Sequence, residues 1–173
     1  MSYKDFITEI PNFPIDGVNF KDISPLLANE QVFRSALVEM GDKVDAGFNK
    51  PDYWIGIDSR GYIFSSGLAT YFGGGVVCAR KEGKTPGQFV KKTYDLEYGT
   101  ATLELQPWNG TNGMNKVVIV DDVLATGGTL KATCELAETA GYEVVGSLVL
   151  IDLKYVPRVK DFNIEVESVV SYG

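Results

Sequence analysis

Residues 117–130 read VVIVDDVLATGGTL. The first four, Val117 to Val120, are β-branched and apolar at every position, as a strand buried on both faces of a parallel sheet must be. The run then meets two adjacent carboxylates, Asp121 and Asp122, and after them Thr126, Gly127, Gly128 and Thr129 lead into a helical pattern. A purely structural strand–turn–helix does not explain two like charges where a buried strand emerges. Glycine lets the backbone adopt conformations closed to other residues and lets a ligand approach the main chain. The threonines add hydroxyl donors, and the first amides of a helix have no intrahelical acceptor. The helix dipole contributes ~0.3–1 kcal/mol toward a bound anion. This bend suits a monophosphate ester. Ionised carboxylates only accept hydrogen bonds, so the acid pair suits the vicinal hydroxyls of a sugar. Together they describe a site for ribose 5-phosphate. No GxxxxGK[ST] is present, which argues against an ATPase.

Outward from this stretch, apolar periodicity predicts the remaining elements. Val32, Phe33, Ala36, Leu37, Met40 and Val44 recur at helical spacing over 30–46, closed by Gly47. Short buried strands are expected at Tyr53–Asp58, Gly75–Arg80, Lys116–Asp121 and Glu143–Asp152, with a further strand at about 164–170. Helices are expected at Gly61–Phe72 and about Thr129–Ala140. Strands apolar on both faces, alternating with helices, indicate an α/β fold with a central parallel sheet flanked by helices. Residues 1–27, rich in Pro, Asn and Asp, read as an irregular N-terminal segment. Residues 80–107 interrupt the alternation and carry a hairpin signal around Glu97–Gly99, long enough for a lid. Ligands of open parallel sheets bind outside the carboxyl ends of the strands. Asp58-Ser59-Arg60, Arg80-Lys81 and Asp121-Asp122 are expected to converge there.

Composition narrows the function. The 173 residues suit one domain; 45% are apolar and 23% charged, and the net charge is −7 with no histidine. Such an acidic balance argues against nucleic-acid or anionic-membrane partners. Without histidine, imidazole base catalysis and imidazole metal ligation are excluded. Cys78 and Cys134 form no CxxC pair and read as reduced thiols in a cytoplasmic protein. The N-terminus has no signal-peptide pattern, and the longest apolar run, LVLI at 148–151, is too short to span a bilayer.

VVIVDDVLATGGT resembles the phosphoribosyl-pyrophosphate (PRPP) motif of the type I phosphoribosyltransferases. GVNFKDISPLL (17–27), GIDSRGYIF (56–64), RKEGKTPG (80–87) and YDLEYGTATLEL (94–105) stand in the order and spacing of the adenine phosphoribosyltransferase family. The resemblance covers roughly residues 10–152. It implies a single phosphoribosyltransferase domain over 1–173, with a hood at about 1–28 and a flexible flap at about 81–107. It further implies a homodimer, Mg²⁺ bound with PRPP rather than by a protein metal site, and the substrates and products adenine, PRPP, AMP and pyrophosphate.

Carried over residue by residue, the resemblance gives Asp121 and Asp122 the ribose hydroxyls, and Ala125, Thr126, Gly127, Gly128 and Thr129 the 5-phosphate. Ser59, Arg60, Arg80, Lys81 and Lys84 are expected at pyrophosphate. Phe20 and Val123 would sandwich adenine while the main chain of Lys21 meets its edge. Glu97 is the expected catalytic residue: as N9 bonds to the sugar, the N7 proton becomes acidic, and a carboxylate ionised at neutral pH can accept it. Tyr98 would help close the flap. Two positions depart from the family pattern: Lys21 stands for the usual Arg, and Ser65–Ser66 stand where Gly and a small residue or Pro are common. No catalytic role is expected of 153–173. The alternatives are a transferase for another purine and a non-catalytic PRPP-sensing regulator.

Overall fold

The computed structural model describes residues 1–47, 50–96 and 98–173. Its frame is a seven-stranded sheet built from β3 (Tyr53–Ile57), β4 (Gly75–Lys81), β5 (Val90–Leu96), β6 (Gly99–Leu105), β7 (Lys116–Leu124), β8 (Glu143–Leu153) and β9 (Val166–Tyr172). The order is β5-β6-β4-β3-β7-β8-β9. From β4 to β9 every pairing is parallel, and β6 and β5 add an antiparallel edge. The expected flap is therefore a hairpin of the sheet itself: β4 runs one residue past Arg80, and Arg80 pairs with Glu104.

Alternation along β7 explains the two covering layers. Val118 and Val120 face one core with Ala36, Met40, Phe64 and Leu68, from α2 (Glu30–Gly47) and α3 (Gly61–Phe72). Val117 and Ile119 face the other, with Leu130, Leu136 and Ala137 of α4 (Gly128–Thr139). Gly56 of β3 lets α3 come close, since a Cβ there would collide with the Ser65 hydroxyl. Ser65 is fully buried and donates to the Tyr62 carbonyl at 3.2 Å, while Ser66 is exposed. Both departures at 65–66 are thus carried inside an unbroken α3.

Three expectations need correction. Residues 1–27 are not irregular throughout: β1 (Thr8–Pro11) and β2 (Asn19–Asp22) form an antiparallel hairpin, followed by α1 (Ser24–Ala28). β7 does not stop at Asp121. Its pairing with β3 ends at Gly56↔Val120, but β8 continues beside it to Leu124↔Asp152, so the ladder carries the acid pair inside the strand. The last strand lies at Val166–Tyr172, two residues later than expected. Among the described residues no helix is long and apolar enough to cross a membrane.

Candidate active site

The chain leaves β3 toward β4 on one side and β7 on the other, so the strand order reverses between β3 and β7. In open α/β sheets that reversal opens a crevice at the carboxyl ends of the strands. A cavity of about 710 Å³ lies there. Ile57 ends β3 and Asp58–Arg60 follow it, Lys81 ends β4 and Glu82 follows it, Asp121–Val123 come from β7 and Leu153 from β8. The N-terminal hairpin contributes Val18 to Lys21, and the β5–β6 hairpin adds Tyr94 and Thr100 to Leu103. A smaller cavity of about 110 Å³ adjoins it, lined by residues 123–130 together with Asp121 and Val149. Asp121, Val123, Ala125 and Thr129 wall both.

The small cavity is the turn before α4. Gly127 takes a left-handed conformation, φ +84°, and no side chain caps the helix. Among the described residues only Thr126 Oγ1 approaches an amide of the turn, that of Gly128, at a weak 3.4 Å. The helix start therefore keeps donors for an anion. Thr129 Oγ1 lies 3.1 Å from the Tyr94 hydroxyl, so the β5–β6 hairpin leans onto this turn, an approach reinforced by Lys92 Nζ at 2.7 Å from Glu135 Oε2 of α4.

The acid pair is split by its surroundings. The Asp122 side chain is only 5% exposed and is ion-paired with Arg60 Nε. Asp121 accepts the Asp122 amide at 2.9 Å. Burial, and then the neighbouring Asp122 charge, push the Asp121 carboxyl well above the usual carboxylate range. Arg60 also lies over the Phe20 ring, 5.6 Å from its centroid, and Phe20 meets Phe13 edge-on at 5.2 Å.

Lys21 points the other way. Its Nζ lies 2.7 Å from Glu9 Oε2, directly across the hairpin, and 4.2 Å from the Tyr172 ring centroid. These contacts hold the side chain, and Lys21 is among the residues that line the cavity.

The structure thus gathers Phe20, Lys21, Ser59, Arg60, Lys81, Asp121, Asp122, Val123, Ala125 and Thr129 around one cavity, with Thr126, Gly127 and Gly128 at its annex. Lys84 stands outside the lining, its Nζ 3.7 Å from Asp58 Oδ2. That oxygen also accepts the Lys81 amide at 3.2 Å, and Glu104 accepts the Gly83 amide at 3.0 Å, which shapes the basic loop. Arg80 is not brought in. Adjacent strand residues point to opposite faces, and Arg80 lines a separate cavity with Cys78, Gln106, Trp108 and Tyr142. Tyr98 is 78% exposed in the β5–β6 turn. Glu97 lies outside the described residues. Sequence reasoning missed Tyr94, although it opens the YDLEYG stretch.

Residues 24–169 match the model of the family described as Phosphoribosyl transferase domain. The chain is 43% identical over 169 residues to the adenine phosphoribosyltransferase of Mycoplasma mobile, covering 98% of this chain and 96% of that one. The crystal structure of adenine phosphoribosyltransferase from Thermoanaerobacter pseudethanolicus superposes with a TM-score of 0.90 at 35% identity, covering 98% of both chains. The Giardia lamblia enzyme, solved in complex with 9-deazaadenine, gives a TM-score of 0.88 at 34% identity over 100% of this chain and 99% of that one.

Proposed function

The chain belongs to the adenine phosphoribosyltransferases, and from that premise we propose how its cavity moves a 5-phosphoribosyl group from PRPP to adenine, giving AMP and pyrophosphate. The observation that carries the reading is the continuity of the two cavities. An aromatic end at Phe20 and Val123 joins an acid pair, which joins a turn rich in free amides.

The 5-phosphate is assigned to residues 125–129, where amides and hydroxyls replace its water. Asp121 and Asp122 accept the two ribose hydroxyls. A diol brought against Asp121 supplies donors to its ionised form, which offsets the burial that raises its pKa. Ser59, Arg60 and Lys81 face the pyrophosphate, with Lys84 at the rim; Arg80 has no part in this reading of a single chain. The hood at about 1–28 and the flap at about 81–107 complete one transferase domain, with Tyr98 closing the flap over the reactants.

Chemically, the bond from C1 of the sugar to pyrophosphate oxygen breaks as N9 of adenine bonds to C1, through an oxocarbenium-like state. The proton on N7 passes to Glu97. In reverse, protonated Glu97 returns it and activates the leaving base. The main chain of Lys21 reads the base edge, so a 6-oxopurine leaves buried donors unpaired and is rejected. Of the carboxylates beside the cavity, Asp122 is already tied to Arg60. That fits a Mg²⁺ whose ligands come from PRPP and water, rather than a cage of protein side chains. When bound, the ion neutralises the departing pyrophosphate.

A homodimer is the assembly we assign, supported by the apolar surface that Ile63 and Tyr71 of α3 and Val76 of β4 leave exposed. Cytoplasmic residence is supported by two free thiols. Initial rates with a panel of purines test the reaction, and a preference for hypoxanthine would overturn the base assignment. Glu97→Gln should lower kcat by about 10²–10⁴-fold with the fold intact; undiminished turnover removes the proton-transfer role.

A further inference from the structure

The segment between β8 and β9 holds the phosphate turn from behind. Arg158 Nη1 donates to the carbonyl of Ala125 and also to those of Leu153, at 3.1 Å, and Val156, at 3.3 Å. Its Nη2 is ion-paired with Asp152 at the end of β8. One residue on, the Val159 amide donates to the Thr126 carbonyl at 2.8 Å. Phe162 packs where a side chain on Gly127 would go, and Lys131 of α4 reaches the Lys160 carbonyl at 3.1 Å. Two successive carbonyls of the turn are therefore tied to one neighbouring segment.

A trans peptide is planar, with its N–H directed opposite its C=O. Drawing the Ala125 and Thr126 carbonyls toward Arg158 and Val159 turns the Thr126 and Gly127 amides away from that segment. Among the described residues neither amide has a protein acceptor, and both residues line the small cavity. A free turn could present either edge of these peptides. A carbonyl facing the cavity would repel a phosphate; an amide donates to it. The guanidinium also polarises the peptide it binds, which strengthens the N–H on the far edge.

We propose that Arg158 is a positioning residue for the 5-phosphate: it fixes the orientation of the 125–126 peptide so that the turn presents donors rather than acceptors. This rests on the assignment of residues 125–129 to the phosphate. Arg158 touches neither base nor pyrophosphate in that reading, so its effect should be confined to ligands carrying the 5-phosphate.

The test compares wild type, Arg158→Gln and Arg158→Lys by calorimetry with AMP and by steady-state kinetics. Arg158→Gln should weaken AMP and raise KM for PRPP by roughly tenfold or more, the loss of a charge-assisted hydrogen bond or two. KM for adenine at saturating PRPP should stay within about twofold. Arg158→Lys keeps one donor and should recover part of the loss. If Arg158→Gln does not fold, the same split between PRPP and adenine is read from Arg158→Lys. Wild-type protein that fails to bind AMP would refute the phosphate assignment itself. AMP bound equally by wild type and both variants, or adenine and PRPP weakened in parallel, would overturn the role of Arg158 alone.

Discussion

Arg60 and Asp122, 62 residues apart in the chain, form an ion pair across the crevice between β3 and β7. The pair joins the two strands at the point where the sheet order reverses. It also gives the acid pair unequal partners, because among the described residues Asp122 is ion-paired with a cation and Asp121 is not.

Removing the cation should expose that inequality. Arg60→Ala leaves the Asp122 carboxylate, 5% exposed, without its donor. A buried acceptor left unsatisfied costs about 1–3 kcal/mol, and half-exposure of Arg60 places the loss at the lower end. Urea unfolding should show it, and KM for PRPP should rise in the same variant. Unchanged stability would mean that the ion pair contributes nothing in solution.

Asp121 should give the opposite sign. Its folded pKa is raised, first by burial and then by Asp122, so the folded chain keeps a proton that the unfolded chain releases above about 3.9. Stability from this group is therefore present below the unfolded pKa and lost as pH rises through the folded one. Asp121→Asn removes the titration while keeping an oxygen for the Asp122 amide. Without ligand, the variant should melt above wild type at neutral pH, and the difference should shrink toward pH 4. At neutral pH the variant should also lose protection by PRPP. Melting curves of the two proteins that run parallel from pH 4 to 8 would contradict the account.

Gly127 carries two separate constraints. A Cβ there would meet Phe162 at 2.5 Å, and the residue has φ +84°. Gly127→Ala should cost about 1–3 kcal/mol from strain and overlap together, and by displacing the turn it should also weaken PRPP binding. Adding Phe162→Ala relieves the overlap but not the backbone strain, so the double variant should recover only part of the PRPP affinity. Full recovery would show that the left-handed conformation is dispensable.

Much of this was legible in the chain. The four apolar strands and the helices at 30–46 and 61–72 announced themselves through unbroken apolar runs and helical spacing, and the acid pair with its turn pointed to the family. The N-terminal hairpin did not, because β1 and β2 are four residues each and β1 is largely exposed; no apolar alternation marks such strands. The continuation of β7 depended on β8 running alongside it, which is a property of the neighbour. Arg80 was legible as a basic residue at a strand end, but which cavity it lines, with Cys78 and Trp108 rather than with Lys81, depends on the folded sheet. Lys21 could be understood only with Glu9 and Tyr172 in place. Arg158 sits in irregular chain with no periodicity, and its partners are carbonyls, which no side-chain pattern reveals.

The central claim is that the turn at 125–129 holds the 5-phosphate beside an acid pair that holds the ribose. A crystal structure with AMP tests it most directly. The account predicts phosphate oxygens within hydrogen-bond distance of the Thr126 to Thr129 amides and hydroxyls, the ribose hydroxyls on Asp121 and Asp122, and the adenine ring between Phe20 and Val123. A phosphate seated at Arg80 or at Lys81 and Lys84, with the turn left to solvent, would contradict it.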